Sequence, residues 1–81
     1  MITLPHNDIN IYLLIGKNIK KYRKSLKMTQ YELAKKSGYS YAFIRRIEST
    51  NSQKYFSLQT VYNISLALNI DIKNLFENND I

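Results

Sequence analysis

The sequence contains no cysteine, so it can form no disulfide and offers no thiolate ligand to a metal ion. Its only proline is Pro5 and its only glycines are Gly16 and Gly38, so residues that break helices are rare. Alternating apolar and polar patterns are also weak, whereas apolar residues recur at helical spacing along most of the chain. Together these features predict an all-α fold.

Several classes of function require residues that this sequence does not contain. The longest apolar run, Ile11 to Ile15, is far shorter than the ~20 residues of a membrane-spanning helix. No secretory signal pattern is visible, since Asp8 lies where a positive region is expected, and we expect a cytoplasmic protein. His6 is the only histidine and has no carboxylate cluster near it, which argues against a metal site. Without a nucleophile–base pair or a phosphate-binding loop, we expect no enzymatic activity, no cofactor and no small-molecule ligand.

The net charge of +6 is concentrated in the middle of the chain. Residues 14–56 carry eleven Lys and Arg against only Glu32 and Glu48, whereas both flanking segments are slightly acidic. A basic region beside acidic ones is typical of a protein with one surface for a polyanion and another for a different contact. A solvated lysine-rich surface would give the same totals, so charge alone leaves nucleic-acid binding undecided.

The clearest helix boundaries lie in the same basic region. Thr29 and Glu32 have the spacing of a capping box, which predicts that a second helix begins after Thr29. Gly38 is placed to end that helix in a left-handed conformation, and Ser40 is placed to cap a third helix. In the third helix the spacing predicts buried positions at Phe43, Ile44 and Ile47, and outward positions at Tyr41, Ala42, Arg45 and Arg46.

Three further helices are predicted around this pair. The first is expected to have Asn7 or Asp8 as its N-cap. The fourth is expected to follow Ser57 and to stop near Asn69, and a short fifth helix is expected after Asp71.

Gly16 lies within the first predicted helix and is a candidate break in it. We therefore expect residues 1–13 to be an N-terminal extension and residues 14–81 to be a single domain. A chain of 81 residues with 44% hydrophobic residues suits one small domain of this kind.

Residues Thr29 to Glu48 thus combine two short predicted helices and a tight turn. Ala34 is a small residue where the two helices must cross, and Ile44 and Ile47 can pack back against Leu33. This arrangement is typical of a helix-turn-helix, in which the first helix crosses the DNA backbone and the second presents its outer face to the major groove.

The strings Met28–Ser40 (MTQYELAKKSGYS) and Ile44–Glu48 (IRRIE) resemble the Cro/cI-type (XRE) family of phage repressors and restriction-modification controller proteins. The resemblance extends over about residues 14–76. It implies a five-helix, lambda-repressor-like domain that binds double-stranded operator DNA, usually as a homodimer, and regulates transcription. The sequence departs from the family where Ser49–Asn51 replaces a usual glycine and Tyr55-Phe56 replaces a usual proline.

The resemblance also implies roles for individual residues. Arg23 and Glu48 match a buried salt bridge between the first and third helices, which would be structural. Gln30 matches a glutamine close to phosphate and bases, at a helix N-terminus that suits an anion. The positions that match DNA-contacting residues of the family are Gln30, Ser40, Tyr41, Ala42, Arg45, Arg46 and Lys54.

The C-terminal segment is unusually apolar for the end of a chain. We interpret it as closing the core and as forming a homodimer interface through helices four and five. Such a dimer would hold two recognition helices ~34 Å apart, one turn of DNA. A protein-interaction module, such as an antitoxin that binds a protein partner, is the alternative, and the sequence does not distinguish repressor, controller and antitoxin. The apolar residues concerned are Leu66, Leu68, Ile70, Ile72, Leu75 and Phe76.

Overall fold

The computed structural model describes residues 10–51 and 54–78, and this part of the chain contains helices and no strand. The elements are α1 (Ile11–Ser25), α2 (Gln30–Ser37), α3 (Tyr41–Glu48), α4 (Leu58–Ala67) and a 3-10 helix (Ile72–Phe76). The all-α class is therefore confirmed. The predicted fifth helix is a 3-10 helix rather than an α-helix, a form that short segments often adopt. In the described residues no helix combines the length and apolar character needed to cross a membrane.

Helix α1 begins at Ile11, later than its predicted start. The side chain of Asn10 is the N-cap, because its Oδ1 accepts the backbone N–H groups of Tyr12 at 3.0 Å and Leu13 at 3.3 Å. The predicted caps, Asn7 and Asp8, lie outside the described residues.

Gly16 does not break α1, contrary to the prediction. It is buried inside the helix, and a Cβ atom placed on it would lie 2.2 Å from the carbonyl oxygen of Ile47. The glycine therefore allows α1 to approach the C-terminal end of α3 more closely than any side chain would permit.

The predicted boundaries of α2 and α3 are confirmed in atomic detail. The Glu32 N–H donates to Thr29 Oγ1 at 3.0 Å, and the Thr29 N–H donates to Glu32 Oε1 at 2.9 Å, which completes the capping box. Gly38 ends α2 with φ of 80°, in the left-handed region. Ser40 Oγ then accepts the N–H of Phe43 at 3.0 Å and starts α3.

Helix α4 also begins and ends where the sequence predicts. Ser57 Oγ accepts the N–H of Thr60 at 3.1 Å, and Asn69 adopts a left-handed φ of 56° just beyond the helix. Asp71 caps the following 3-10 helix through the N–H of Lys73. The chain therefore turns sharply between α4 and the 3-10 helix.

The helices enclose one core. Helix α3 packs on α1 and α2, α4 packs on α2, and the 3-10 helix closes the core against α1 and α4. The largest fully buried apolar side chains come from every element: Ile19, Leu33, Ile44, Ile47, Ile64, Leu68 and Leu75.

Polar contacts fasten the C-terminal segment to α1. The side-chain amide of buried Asn18 donates to the carbonyl oxygens of Leu75 at 2.9 Å and Glu77 at 2.8 Å. The Tyr22 hydroxyl donates to the Glu77 carboxylate, which lowers the pKa of Glu77 and raises the pKa of Tyr22.

Replacing Gly16 with alanine should destabilise the protein, although alanine is normally favoured in a helix by about 1 kcal/mol. Because the new Cβ would meet the Ile47 carbonyl, we expect Gly16→Ala to lower the free energy of unfolding by roughly 1–3 kcal/mol. Urea denaturation followed by circular dichroism measures the change. The control, Lys20→Ala on the exposed side of α1, should stay within about 0.5 kcal/mol of wild type. A Gly16→Ala variant more stable than wild type would contradict the close approach.

Candidate nucleic-acid interface

Helix α3 presents a polar and basic face to solvent. Tyr41, Ala42, Arg45 and Arg46 are all exposed, as the spacing predicts. The opposite face of the helix packs into the core through Ile44 and Ile47. Both arginines, together with Ala42 and Ser49, line an open cavity of about 310 Å³. Four of the residues that the resemblance places on DNA therefore lie side by side on one accessible surface.

Ser40 lies at the start of this face. It is exposed, and its Oγ already accepts the N–H of Phe43 as the N-cap of α3. A hydroxyl that accepts one hydrogen bond can still donate another. Ser40 can therefore cap the helix and contact an anion at the same time.

Beneath α3 lies a buried ion pair between Arg23 of α1 and Glu48. Arg23 Nε donates to Glu48 Oε2 at 2.7 Å, and Arg23 Nη2 donates to Glu48 Oε1 at 2.9 Å. Their side chains are only 8% and 2% exposed. Arg23 Nη1 also donates to the carbonyl oxygen of Met28 at 2.7 Å. This bidentate pair joins α1, the segment before α2, and the end of α3.

Gln30 is tied to the same ion pair. Its Nε2 donates to Glu48 Oε1 at 3.0 Å, and its side chain is half-buried at the start of α2. The resemblance places Gln30 close to DNA, and the structure holds its amide between the ion pair and the surface. Its orientation is therefore coupled to the position of α3.

Lys54 does not lie on the exposed face of α3, unlike four of the other residues that the resemblance places on DNA. It is only 5% exposed, and its ammonium group donates to the carbonyl oxygen of Ser49, just after α3. Burial lowers the pKa of Lys54, and the negative charge of Glu48 opposes that shift. A cation beside the last carbonyl groups of a helix is favourable, so Lys54 supports the end of α3 from inside.

Tyr31, in the first turn of α2, lies on the exposed surface. Its side chain is 67% exposed, and its ring centroid lies 6.2 Å from that of Tyr41. The guanidinium carbon of Arg45 lies 5.6 Å from the Tyr41 ring centroid. The spacing in the sequence explains this exposure. Tyr31 precedes Leu33 by two residues, which places the two on opposite sides of a helix, and Leu33 is fully buried.

A protein-family model described as Helix-turn-helix matches residues 19–75, most of the chain. The comparison with curated proteins gave no match. The matched region begins within α1 and ends in the 3-10 helix, so it contains the helix pair and most of its supporting core.

Solved structures share this fold. The restriction-modification controller protein C.AhdI from Aeromonas hydrophila is 25% identical, with a TM-score of 0.73, over 80% of this chain and 96% of that chain. The N-terminal DNA binding domain of SinR from Bacillus subtilis is 31% identical, with a TM-score of 0.72, over 84% of this chain and 97% of that chain. A structure of SinR, the master regulator for biofilm formation, in complex with DNA is 33% identical, with a TM-score of 0.70, over 78% of this chain and 98% of that chain. This chain belongs to the Cro/cI-type (XRE) helix-turn-helix family of transcription regulators.

Proposed function

We propose that this protein is a transcriptional regulator, a repressor or controller, that binds operator DNA sequence-specifically as a homodimer. Helix α3 acts as the recognition helix in the major groove. The observation that carries the proposal is the exposed face of α3, where Arg45 and Arg46 lie beside Tyr41 and Ala42. The structure of SinR in complex with DNA supports the same use of this fold.

The residues divide into those that position the protein and those that read bases. Arginine reads guanine by donating two hydrogen bonds to O6 and N7, so Arg45 and Arg46 are the candidate base readers. Gln30 and Ser40 lie at the N-termini of α2 and α3, where backbone N–H groups and the helix dipole favour phosphate. Such phosphate contacts fix the register of the protein on the duplex.

The homodimer interface in this proposal lies on α4 and the 3-10 helix. Leu58, Tyr62 and Leu66 are one helical turn apart on α4, and their side chains are 68%, 47% and 58% exposed. The 3-10 helix, which packs on α4, exposes Phe76 as well. Single exposed apolar residues are ordinary, but a continuous stripe of them marks an interaction surface. A second copy of the same stripe would cover it in a two-fold dimer.

Removing the two arginines should weaken DNA binding without affecting the fold. Because both side chains are exposed, we expect Arg45→Ala/Arg46→Ala to retain its helicity and melting temperature. Its binding free energy for operator DNA should weaken by about 1–3 kcal/mol for each base that an arginine no longer reads. Fluorescence anisotropy with labelled duplex measures the affinity, and Lys20→Ala on α1 is the control for removing an exposed positive charge away from both α3 and the proposed dimer interface. Unchanged operator affinity in the double variant would reject α3 as the recognition helix and favour a protein-interaction role.

Introducing a charge into the α4 stripe should separate the dimer. We expect Tyr62→Glu to sediment as a monomer of 9.6 kDa, whereas wild type sediments at twice that mass. Burying the new carboxylate in an apolar interface without a partner is unfavourable. Leu26→Glu, at a 50% exposed position at the end of α1, is the matched control and should remain dimeric. A dimeric Tyr62→Glu, measured by analytical ultracentrifugation, would place the interface elsewhere.

A further inference from the structure

Three exposed side chains follow one another across the two helices of the helix-turn-helix. Tyr31 belongs to the first turn of α2, and Tyr41 is the first residue of α3. Their ring centroids are 6.2 Å apart with an interplanar angle of 54°. Arg45 lies one helical turn after Tyr41, and its guanidinium carbon is 5.6 Å from the Tyr41 ring centroid. The contacts therefore run from α2, through a ring of α3, to an arginine of the proposed recognition face.

The two tyrosine rings do not serve the core. Their side chains are 67% and 45% exposed, and the buried cluster that stabilises the domain contains neither of them. Aromatic rings attract one another in tilted arrangements, and the face of a tyrosine ring attracts a cation. Tyr31 thus supports Tyr41, and Tyr41 offers a surface on which the Arg45 guanidinium can rest.

The neighbouring arginine has a different environment. Arg46 is exposed on the same helix, but within the described residues no aromatic ring lies under its guanidinium group. The two side chains have the same length and the same charge. They differ in that one is held against an aromatic ring before any ligand binds.

Holding an arginine in place matters for reading a base. The side chain has many rotamers, and ordering it on binding costs free energy. Guanine recognition requires the planar guanidinium to present two donors to O6 and N7 together, so an arginine oriented in advance loses less on binding.

We propose that Tyr31 and Tyr41 form an aromatic platform that positions the Arg45 guanidinium to read one guanine of the binding site. Tyr41 is the positioning residue and Tyr31 supports its ring from α2. The inference rests on the proposed DNA-binding function and adds a division between the two arginines. Arg45 determines the specificity at one base pair, and Arg46 contributes to binding without a platform.

The first test compares base discrimination in Tyr41 variants. The wild-type protein selects its site from random duplex DNA, and affinities are then measured for that site and for every single base-pair change in it. Arg45→Ala identifies the base pair that Arg45 reads. Tyr41→Leu should weaken binding to the selected site by about 3- to 30-fold and relax discrimination at that same base pair. Tyr41→Phe keeps the ring and should stay within about 2-fold of wild type.

Two comparisons separate positioning from direct contact. Once Arg45 has been replaced by alanine, adding Tyr41→Leu should weaken binding by no more than about a further 2-fold, because nothing is left to position. Tyr31→Leu should weaken binding less than Tyr41→Leu does, at the same base pair. Tyr55→Leu, a 70% exposed tyrosine outside both helices, is the matched control and should bind as wild type does.

A measurement on the free protein tests the platform without DNA. Nuclear magnetic resonance relaxation of the arginine Nε–H groups should show Arg45 more ordered than Arg46 in wild type. In Tyr41→Leu the two should become equally mobile. Circular dichroism of each variant checks that the fold is retained, and Tyr41→Phe supplies a folded reference with an intact ring.

The outcomes distinguish this inference from the proposed function on which it rests. Equal mobility of the two arginines in wild type overturns the platform. So does relaxed discrimination at a different base pair, or an undiminished effect of Tyr41→Leu when Arg45 is already alanine, since Tyr41 would then contact DNA itself. If wild type selects no DNA site, the proposed function fails, and the relaxation measurement alone decides whether the platform exists.

Discussion

The position of α3, the proposed recognition helix, depends on the buried ion pair between Arg23 and Glu48. The pair connects α1 with the end of α3, and it also receives the Gln30 amide from α2. A buried ion pair is weak evidence of net stabilisation, because the cost of removing two charges from water offsets much of their attraction. Its geometric effect is specific, since a bidentate pair has only one good arrangement. We therefore interpret it as the contact that sets the orientation of α3 relative to α1 and α2.

Two other contacts hold the same end of α3. Gly16 lets the backbone of α1 reach the Ile47 carbonyl, and the buried Lys54 ammonium bonds the Ser49 carbonyl. At the opposite end, the Ser40 cap fixes the first turn of the helix. With both ends held, the backbone of α3 keeps a constant position relative to α1 and to the N-terminus of α2. A rigid support of this kind is what reading a base edge requires.

Features that depend on neighbouring residues could be predicted from the sequence. The capping box of Thr29 and Glu32, the left-handed Gly38 and the Ser40 cap each involve residues no more than four positions apart. Their chemistry is therefore visible in a short string of letters. The exposed face of α3 followed in the same way from the spacing of its apolar residues.

Features that depend on distant residues could not be predicted in this way. Gly16 resembles a helix break because glycine lowers helix propensity, and only the approach of Ile47 explains it as an interior residue. Lys54 resembles a surface cation, and its burial depends on the fold around the end of α3. The place of Tyr31 beside Tyr41 likewise requires the crossing of α2 and α3 in three dimensions.

Selection of bound sites from a random pool of duplex DNA tests the central claim most directly. At moderate salt the wild-type protein should enrich a site with two-fold symmetry, whose half-sites are centred about one helical turn, or ~34 Å, apart. Recovery of no enriched sequence under those conditions would contradict sequence-specific recognition by α3.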